Sequence, residues 1–317
     1  MQAVCLGDDG VQFRLDYPDP TPAAGEVPVR VLLAGICETD LQLIRGYMGF
    51  RGVLGHEFVG VAEAGRFAGQ RVAGEINCAC GRCNLCLSGL GNHCPHRSVV
   101  GILRHDGVFA ERVCLPEANL HPIPDHVSNV AAVFVEPLAA AFQIPAQLDL
   151  SSVKRAIVLG DGRLGNLCGQ VLNSRVSDLL VVGKHPPKLQ RLTSLGIKTA
   201  LLNDLSADRG ADLVVDCTGS EQGLHTALQL VRPRGTVVLK TTTAAPQGPN
   251  LAAVVIDEIN LIGSRCGPFA TAVDALAKGD VVVESLMTGR FPLRQFDAAI
   301  VAATNGDGLK VLLDPHS

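Results

Sequence analysis

The sequence predicts a chain of two units: a β-rich, barrel-like part and an α/β part built on a doubly wound parallel sheet. Three observations predict this. The length, 317 residues, exceeds what a single core usually organises. Up to about residue 130 the chain reads as short apolar strands broken by Gly and Pro. From about Ser151, short apolar strands alternate with helical stretches at the spacing of βαβ units.

In the first part, residues 27–34 (VPVRVLLA), 58–64 and 70–74 are expected strands, and no helix is read over most of the stretch. In the second part, strands are expected at 156–159, 179–182, 213–216 and 236–240. Helices are expected between them at 164–173, 188–195 and 222–230. One more helix is expected at 270–277. An apolar run follows at 310–313, and pattern alone leaves its place in the fold open.

Composition narrows the function. Hydrophobic residues make up 47% and charged residues 18%, which excludes a disordered chain. A net charge of −4, with 4% aromatics and no Trp, argues against a nucleic-acid or anionic-membrane surface. Met1-Gln2-Ala3-Val4 opens no secretory signal, and no apolar run reaches the roughly 18 residues a bilayer span needs. A cytoplasmic, reducing compartment is the expectation. There, the 11 cysteines point to metal or catalysis before disulfides.

Cys80, Cys83, Cys86 and Cys94 place four thiols within fifteen residues. Four thiolates at bonds of about 2.3 Å make a closed tetrahedral zinc site, which is structural because no position stays open. Gly81, Gly89 and Gly91 are expected to supply the tight turns. An iron–sulfur cluster, a zinc module that reads nucleic acid and four unrelated buried thiols are the alternatives. Cys78 could compete as a ligand, and His93 reads as a bystander.

Cys37, in GICETD, and His56 and Glu57, in GHEFVG, are first-row metal ligands by residue type, as is Glu136 in FVEPLAAA. Three protein ligands and a water would leave the open position of a catalytic metal. Taken singly, each is ordinary: a lone Cys is a small apolar residue, and a His-Glu pair is a surface feature.

Further on, strand-like 156–159 runs into Gly160, Asp161, Gly162, Arg163, Leu164 and Gly165, a G-x-G-x-x-G stretch that opens a helix. The glycines permit a tight turn and a close backbone approach to pyrophosphate, which also meets the positive end of the helix. After the next strand, an NAD-binding chain usually carries an acid for the adenosine ribose. Residues 183–188 hold none. They offer Lys184, His185 and Lys188, which leads to the expectation of NADP.

Taken together, GICETD, GHEFVG, the cysteine cluster, FVEPLAAA, VLGDGRLG, VVDCTGS and LKVLLDP resemble the zinc-dependent branch of the medium-chain dehydrogenase/reductase superfamily. The resemblance covers essentially the whole chain and is nearest to the polyol and threonine dehydrogenases. It implies a GroES-like catalytic domain over 1–135 and 267–317 and a Rossmann domain over 136–266. It implies two zinc ions per chain: a catalytic one among Cys37, His56, Glu57 and Glu136, and a structural one on the four cysteines. Under this pattern the direct ligand is either Glu57 or Glu136. The resemblance further gives Thr39 the substrate proton, places Thr218 and Lys310 near the cofactor, and implies a homodimer or homotetramer. The implied activity is hydride transfer between an alcohol or polyol, or its ketone, and NAD(P).

Two positions depart from the family pattern. Gln42 stands where many relatives carry a His that relays the proton outward, and Glu38 stands where some carry a cation. The rival readings are a zinc-independent NADPH-dependent reductase of the same superfamily and a non-catalytic protein that senses the cofactor.

Overall fold

The computed structural model describes residues 1–205, 208–240, 250–305 and 308–317. The chain divides into two compact units, Met1–Glu136 with Phe269–Ser317, and Pro137–Pro268.

The first unit is built on two β-sheets. Ala3–Gly7 pairs with Gly10–Arg14 on one side and with Gly52–Val53 on the other. The seven-stranded sheet runs Leu120–Pro122, Arg71–Gly74, Glu57–Ala62, Glu26–Gly35, Lys310–Asp314, Met287–Pro292, with Arg112–Pro116 also on Glu26–Gly35. Glu26–Gly35 alternates in burial along most of its length, as a strand with one face on the core does. The apolar run near 310 thus has a definite place. All five residues of Lys310–Asp314 are buried, inserted between a strand from early in the chain and one from late in it. Buried on both faces, such a strand reads as a continuous apolar run rather than an alternation.

Four helices among the described residues of this unit went unread in the sequence: Glu38–Ile44, Asn84–Leu87, Asn129–Val133 and Phe296–Thr304. Glu38–Ile44 spans only 7 residues, too short for a clear helical period. Asn129–Val133 is capped by the Ser128 side chain, which accepts from the Ala131 N–H at 3.0 Å.

The second unit is a six-stranded parallel sheet. Its spatial order is Thr199–Leu201, Asp178–Gly183, Arg155–Leu159, Ala211–Asp216, Val231–Leu239, Asn260–Gly263. This is the order of a doubly wound dinucleotide-binding sheet, with its switch point beside Arg155–Leu159. Helices Arg163–Asn173, Pro186–Thr193 and Glu221–Leu230 connect the strands. The middle helix starts two residues before the expected 188 because Pro186 sits at its first turn, where a missing N–H costs nothing. Ile157, Leu159, Val182, Val214, Val237 and Leu230 form one apolar cluster against the sheet. No helix among the described residues is long and apolar enough to cross a membrane.

Candidate active site and structural metal centre

Glu26–Gly35 runs antiparallel to Glu57–Ala62, with Gly35 opposite Glu57. Cys37 and His56, just beyond these two strand ends, therefore meet at one end of the sheet. One donor atom each from Cys37, His56 and Glu57 lie within 4.8 Å of one another, and His56 and Glu57 are buried. A thiol, an imidazole and a carboxylate so converged fit a divalent ion such as zinc.

Asp40 organises this group, and the sequence reading passed it over. It sits in the first turn of Glu38–Ile44, fully buried. Its Oδ2 accepts the Cys37 N–H at 2.8 Å, and its Oδ1 accepts the Gly55 N–H at 3.2 Å. The same Oδ1 lies 3.3 Å from His56 Nδ1. His56 Nδ1 makes no hydrogen bond to it, so the carboxylate acts on the ring through its charge. Burial would depress the His56 pKa, but Asp40 and Cys37 together raise it well above its ordinary range. A field that favours a proton on the ring also favours a cation beside it.

Glu57 is ion-paired with Lys310, and both are wholly buried. The register brings them together, since Gly35 pairs with Glu57 on one side and Leu312 on the other. Gly35 also makes the room. A Cβ there would stand 2.8 Å from Val133 Cγ1 and 3.0 Å from both Glu57 Oε2 and Lys310 Nζ. Burial draws the Lys310 pKa down to about 8, against the pull of Cys37 and Asp40. Lys310, which the family resemblance assigns to the pyrophosphate, thus has its ammonium beside the metal-donor group. Glu136 lies in the first turn of Val135–Gln147, outside that group of three.

Thr39 is half-buried, with Oγ1 3.8 Å from Cys37 Sγ. Glu38 is exposed and turns to Arg45, 3.7 Å away. Of the aromatic side chains near the motifs, Phe50 and Phe269 are core residues; Phe269 stacks on His121 with centroids 5.4 Å apart.

The four cysteines of the second cluster converge as well. Cys83 Sγ lies 3.4 Å from Cys86 Sγ and 3.8 Å from Cys94 Sγ, and Cys80 Sγ lies 4.0 Å from Cys86 Sγ. Tetrahedral bonds of about 2.3 Å place sulfurs about 3.8 Å apart, so the spacing suits one zinc ion. No disulfide joins any of the eleven cysteines. N–H groups of Arg82 and Cys83 pull the Cys80 pKa down to about 6, as a thiolate ligand needs. Gly81 and Gly89 have φ of 71° and 76°, the left-handed turns foreseen; Gly91 does not share that conformation. Cys78 stays outside the cluster, with its thiol pushed up to about 12 by burial.

In the second unit, Arg155–Leu159 leads into Gly160 at φ 113°, packed against the Cys217 carbonyl. Gly162 caps helix Arg163–Asn173 and faces open space. A Cβ on Gly165 would collide with the Gly160 carbonyl, so this glycine lets the helix approach the turn. Arg163 and Leu164, in the helix's first turn, are half-buried. A cavity of about 230 Å³ beside this loop is lined in part by Gly160, Asp161, Gly183, Lys184, His185 and Thr218. Lys188 is not among its walls. Thr218 Oγ1 donates to Asp216 Oδ1 at 2.7 Å, which fixes its rotamer at the strand end.

A converging metal-donor set on one unit and a glycine loop opening a doubly wound sheet on the other define a class: metal-assisted, dinucleotide-dependent oxidoreductases. Comparison with known proteins agrees. The family model for the alcohol dehydrogenase GroES-like domain matches residues 23–125, and that for the glucose dehydrogenase C-terminus matches residues 131–314, more than half the chain. A sorbitol dehydrogenase from Halalkalibacterium halodurans is 29% identical, over 95% of this chain and 94% of its own length. An alcohol dehydrogenase from Escherichia coli, solved with NADH, matches with a TM-score of 0.89 at 27% identity, covering 99% of both chains. A zinc-binding dehydrogenase from Sinorhizobium meliloti, solved with NADP, matches with a TM-score of 0.88 at 26% identity, again covering 99% of both.

The chain belongs to the zinc-dependent alcohol and polyol dehydrogenases of the medium-chain dehydrogenase/reductase superfamily. It is an oxidoreductase of alcohols or polyols that uses NAD(P).

Proposed function

We propose that hydride transfer between a secondary alcohol or polyol and NAD(P) takes place at the group formed by Cys37, His56 and Glu57. The observation that carries this is the convergence of three unlike metal donors within 4.8 Å at a buried sheet end, with the Thr39 hydroxyl beside them. Cys37, His56 and one carboxylate, from Glu57 or Glu136, would hold a catalytic zinc. Cys80, Cys83, Cys86 and Cys94 would hold a second, structural zinc. Bound zinc supplies Lewis acidity that makes a hydroxyl a far stronger acid, and bound nicotinamide supplies the hydride acceptor.

The chain's own residues then have separable tasks. Thr39 accepts the substrate hydroxyl proton and passes its own outward. Gln42 cannot carry a proton at neutral pH, so water or a cofactor hydroxyl is the next carrier. Asp40 sets a negative charge 3.3 Å from His56 Nδ1 and fixes the backbone of Cys37. Lys310 balances the Glu57 charge, which would otherwise be buried alone. The glycine loop and the N-terminus of Arg163–Asn173 receive the pyrophosphate.

The test measures zinc and turnover in the same preparation, with a panel of alcohols and polyols. The wild type should hold two zinc ions per chain. Cys37→Ala should hold one and lose about a thousandfold in turnover, as expected when several kcal/mol of Lewis-acid stabilisation is removed. Undiminished turnover in that variant would exclude this site.

A further inference from the structure

Residues 183–188 contain no acid, but a carboxylate from elsewhere in the fold reaches their turn. Gly183 is the last residue of Asp178–Gly183, where a dinucleotide-binding strand ends. A Cβ built on Gly183 would collide with the Asp161 side chain. Asp161, from the glycine loop, thus fills the space a side chain at 183 would take. Its Oδ2 accepts the N–H of Lys184 at 2.7 Å and of His185 at 2.6 Å, and its Oδ1 lies 3.0 Å from His185 Nδ1.

We infer that Asp161 is the specificity-determining acid of the dinucleotide site, selecting a cofactor with a free adenosine 2′-hydroxyl over one with a 2′-phosphate. This rests on the dinucleotide reading above and reverses the NADP expectation drawn from Lys184, His185 and Lys188. A carboxylate has about four acceptor positions, and three donors occupy this one, which leaves room for a ribose hydroxyl. Asp161 is mostly buried yet lines the cavity, so the remaining position faces the nucleotide side. A 2′-phosphate would meet the opposite conditions. The backbone N–H groups of Lys184 and His185, its natural donors, are already held by Asp161. The carboxylate charge repels a dianion at the same recess. Among the described residues of the cavity wall, Lys184 is the one lysine or arginine.

Direct calorimetric titration of the zinc-loaded protein with NAD and with NADP tests the inference without turnover. The wild type should bind NAD more tightly by about tenfold or more, the worth of a hydrogen bond to a charged group. Asp161→Asn should shrink that ratio by a similar factor. The paired exchange Asp161→Gly with Gly183→Asp, which moves the acid to the strand end, should restore it. NADP binding as tightly as NAD in the wild type would overturn the inference, even if the variants fail to fold. A folded Asp161→Asn protein with an unchanged ratio would also overturn it. Binding of neither nucleotide would overturn the dinucleotide reading itself, and this assignment with it.

Discussion

Replacing Asp40 with Asn probes the metal-donor group without touching a donor. The carboxylate accepts the Cys37 N–H at 2.8 Å through one oxygen and the Gly55 N–H at 3.2 Å through the other, which also lies 3.3 Å from His56 Nδ1. Asn has one acceptor oxygen, so its NH₂ must face one of these donors. An orphaned buried N–H costs about 1–3 kcal/mol, and loss of charge from the surviving bonds adds about 1 kcal/mol. The sum, about 2–4 kcal/mol, corresponds to a fall in melting temperature of roughly 4 to 16 °C for a unit of this size. His56 also loses the negative charge beside its ring, and loss of such an outer partner lowers metal affinity by about 10-fold to 100-fold. Differential scanning calorimetry of the zinc-loaded protein reads the first effect, and competition with a chelator reads the second. An unchanged melting temperature together with unchanged zinc affinity would refute the argument that Asp40 ties the two strand ends together.

Two further outcomes follow from the geometry. Gly165→Ala should abolish dinucleotide binding and cost about 1–3 kcal/mol in stability, because the new methyl overlaps the Gly160 carbonyl; calorimetry with NAD and thermal melts measure both. In the metal-free protein, Cys80 should be alkylated by iodoacetamide at a rate that rises through about pH 6 and is flat well below pH 9. The sign follows from the cause: N–H groups of Arg82 and Cys83 stabilise the thiolate, so that form persists as pH falls until about 6. A rate that titrates near 9 would contradict it, and added zinc should suppress the reaction.

The readable parts of this sequence are those whose meaning is local. Four cysteines within fifteen residues and a glycine loop between an apolar strand and a helix need only neighbouring residues to form their sites. The group of Cys37, His56 and Glu57 is different. Nothing in the spacing of Cys37 and His56 states that Gly35 lies opposite Glu57; that is a matter of strand register, set by the whole sheet. Asp40 escaped notice because an Asp three residues into a motif looks like any helix-start acid until its three partners are seen. The Asp161 assignment fails at the sequence level for a related reason. The residue sits 22 positions before the glycine whose place it fills, and the pattern directs attention to the strand end. The placement of Lys310–Asp314 inside the first sheet was likewise invisible, since an apolar run does not name its neighbours.

The pairing of Glu57 with Lys310 also bears on how the molecule is made. The two residues stand 253 positions apart. At about 5–20 residues per second, a ribosome needs roughly 13 to 50 s to traverse that interval. Throughout it, the nascent sheet lacks the lysine that pairs with Glu57 and ends in an open edge at Glu26–Gly35, where Lys310–Asp314 will pair. The intervening parallel-sheet unit, by contrast, has all its strands in hand as soon as Asn260–Gly263 has cleared the exit tunnel. The earliest-made part of the first unit is therefore among the last to reach its final form, and it is during this wait that its unpaired strand edges are open to a chaperone or to a neighbouring chain.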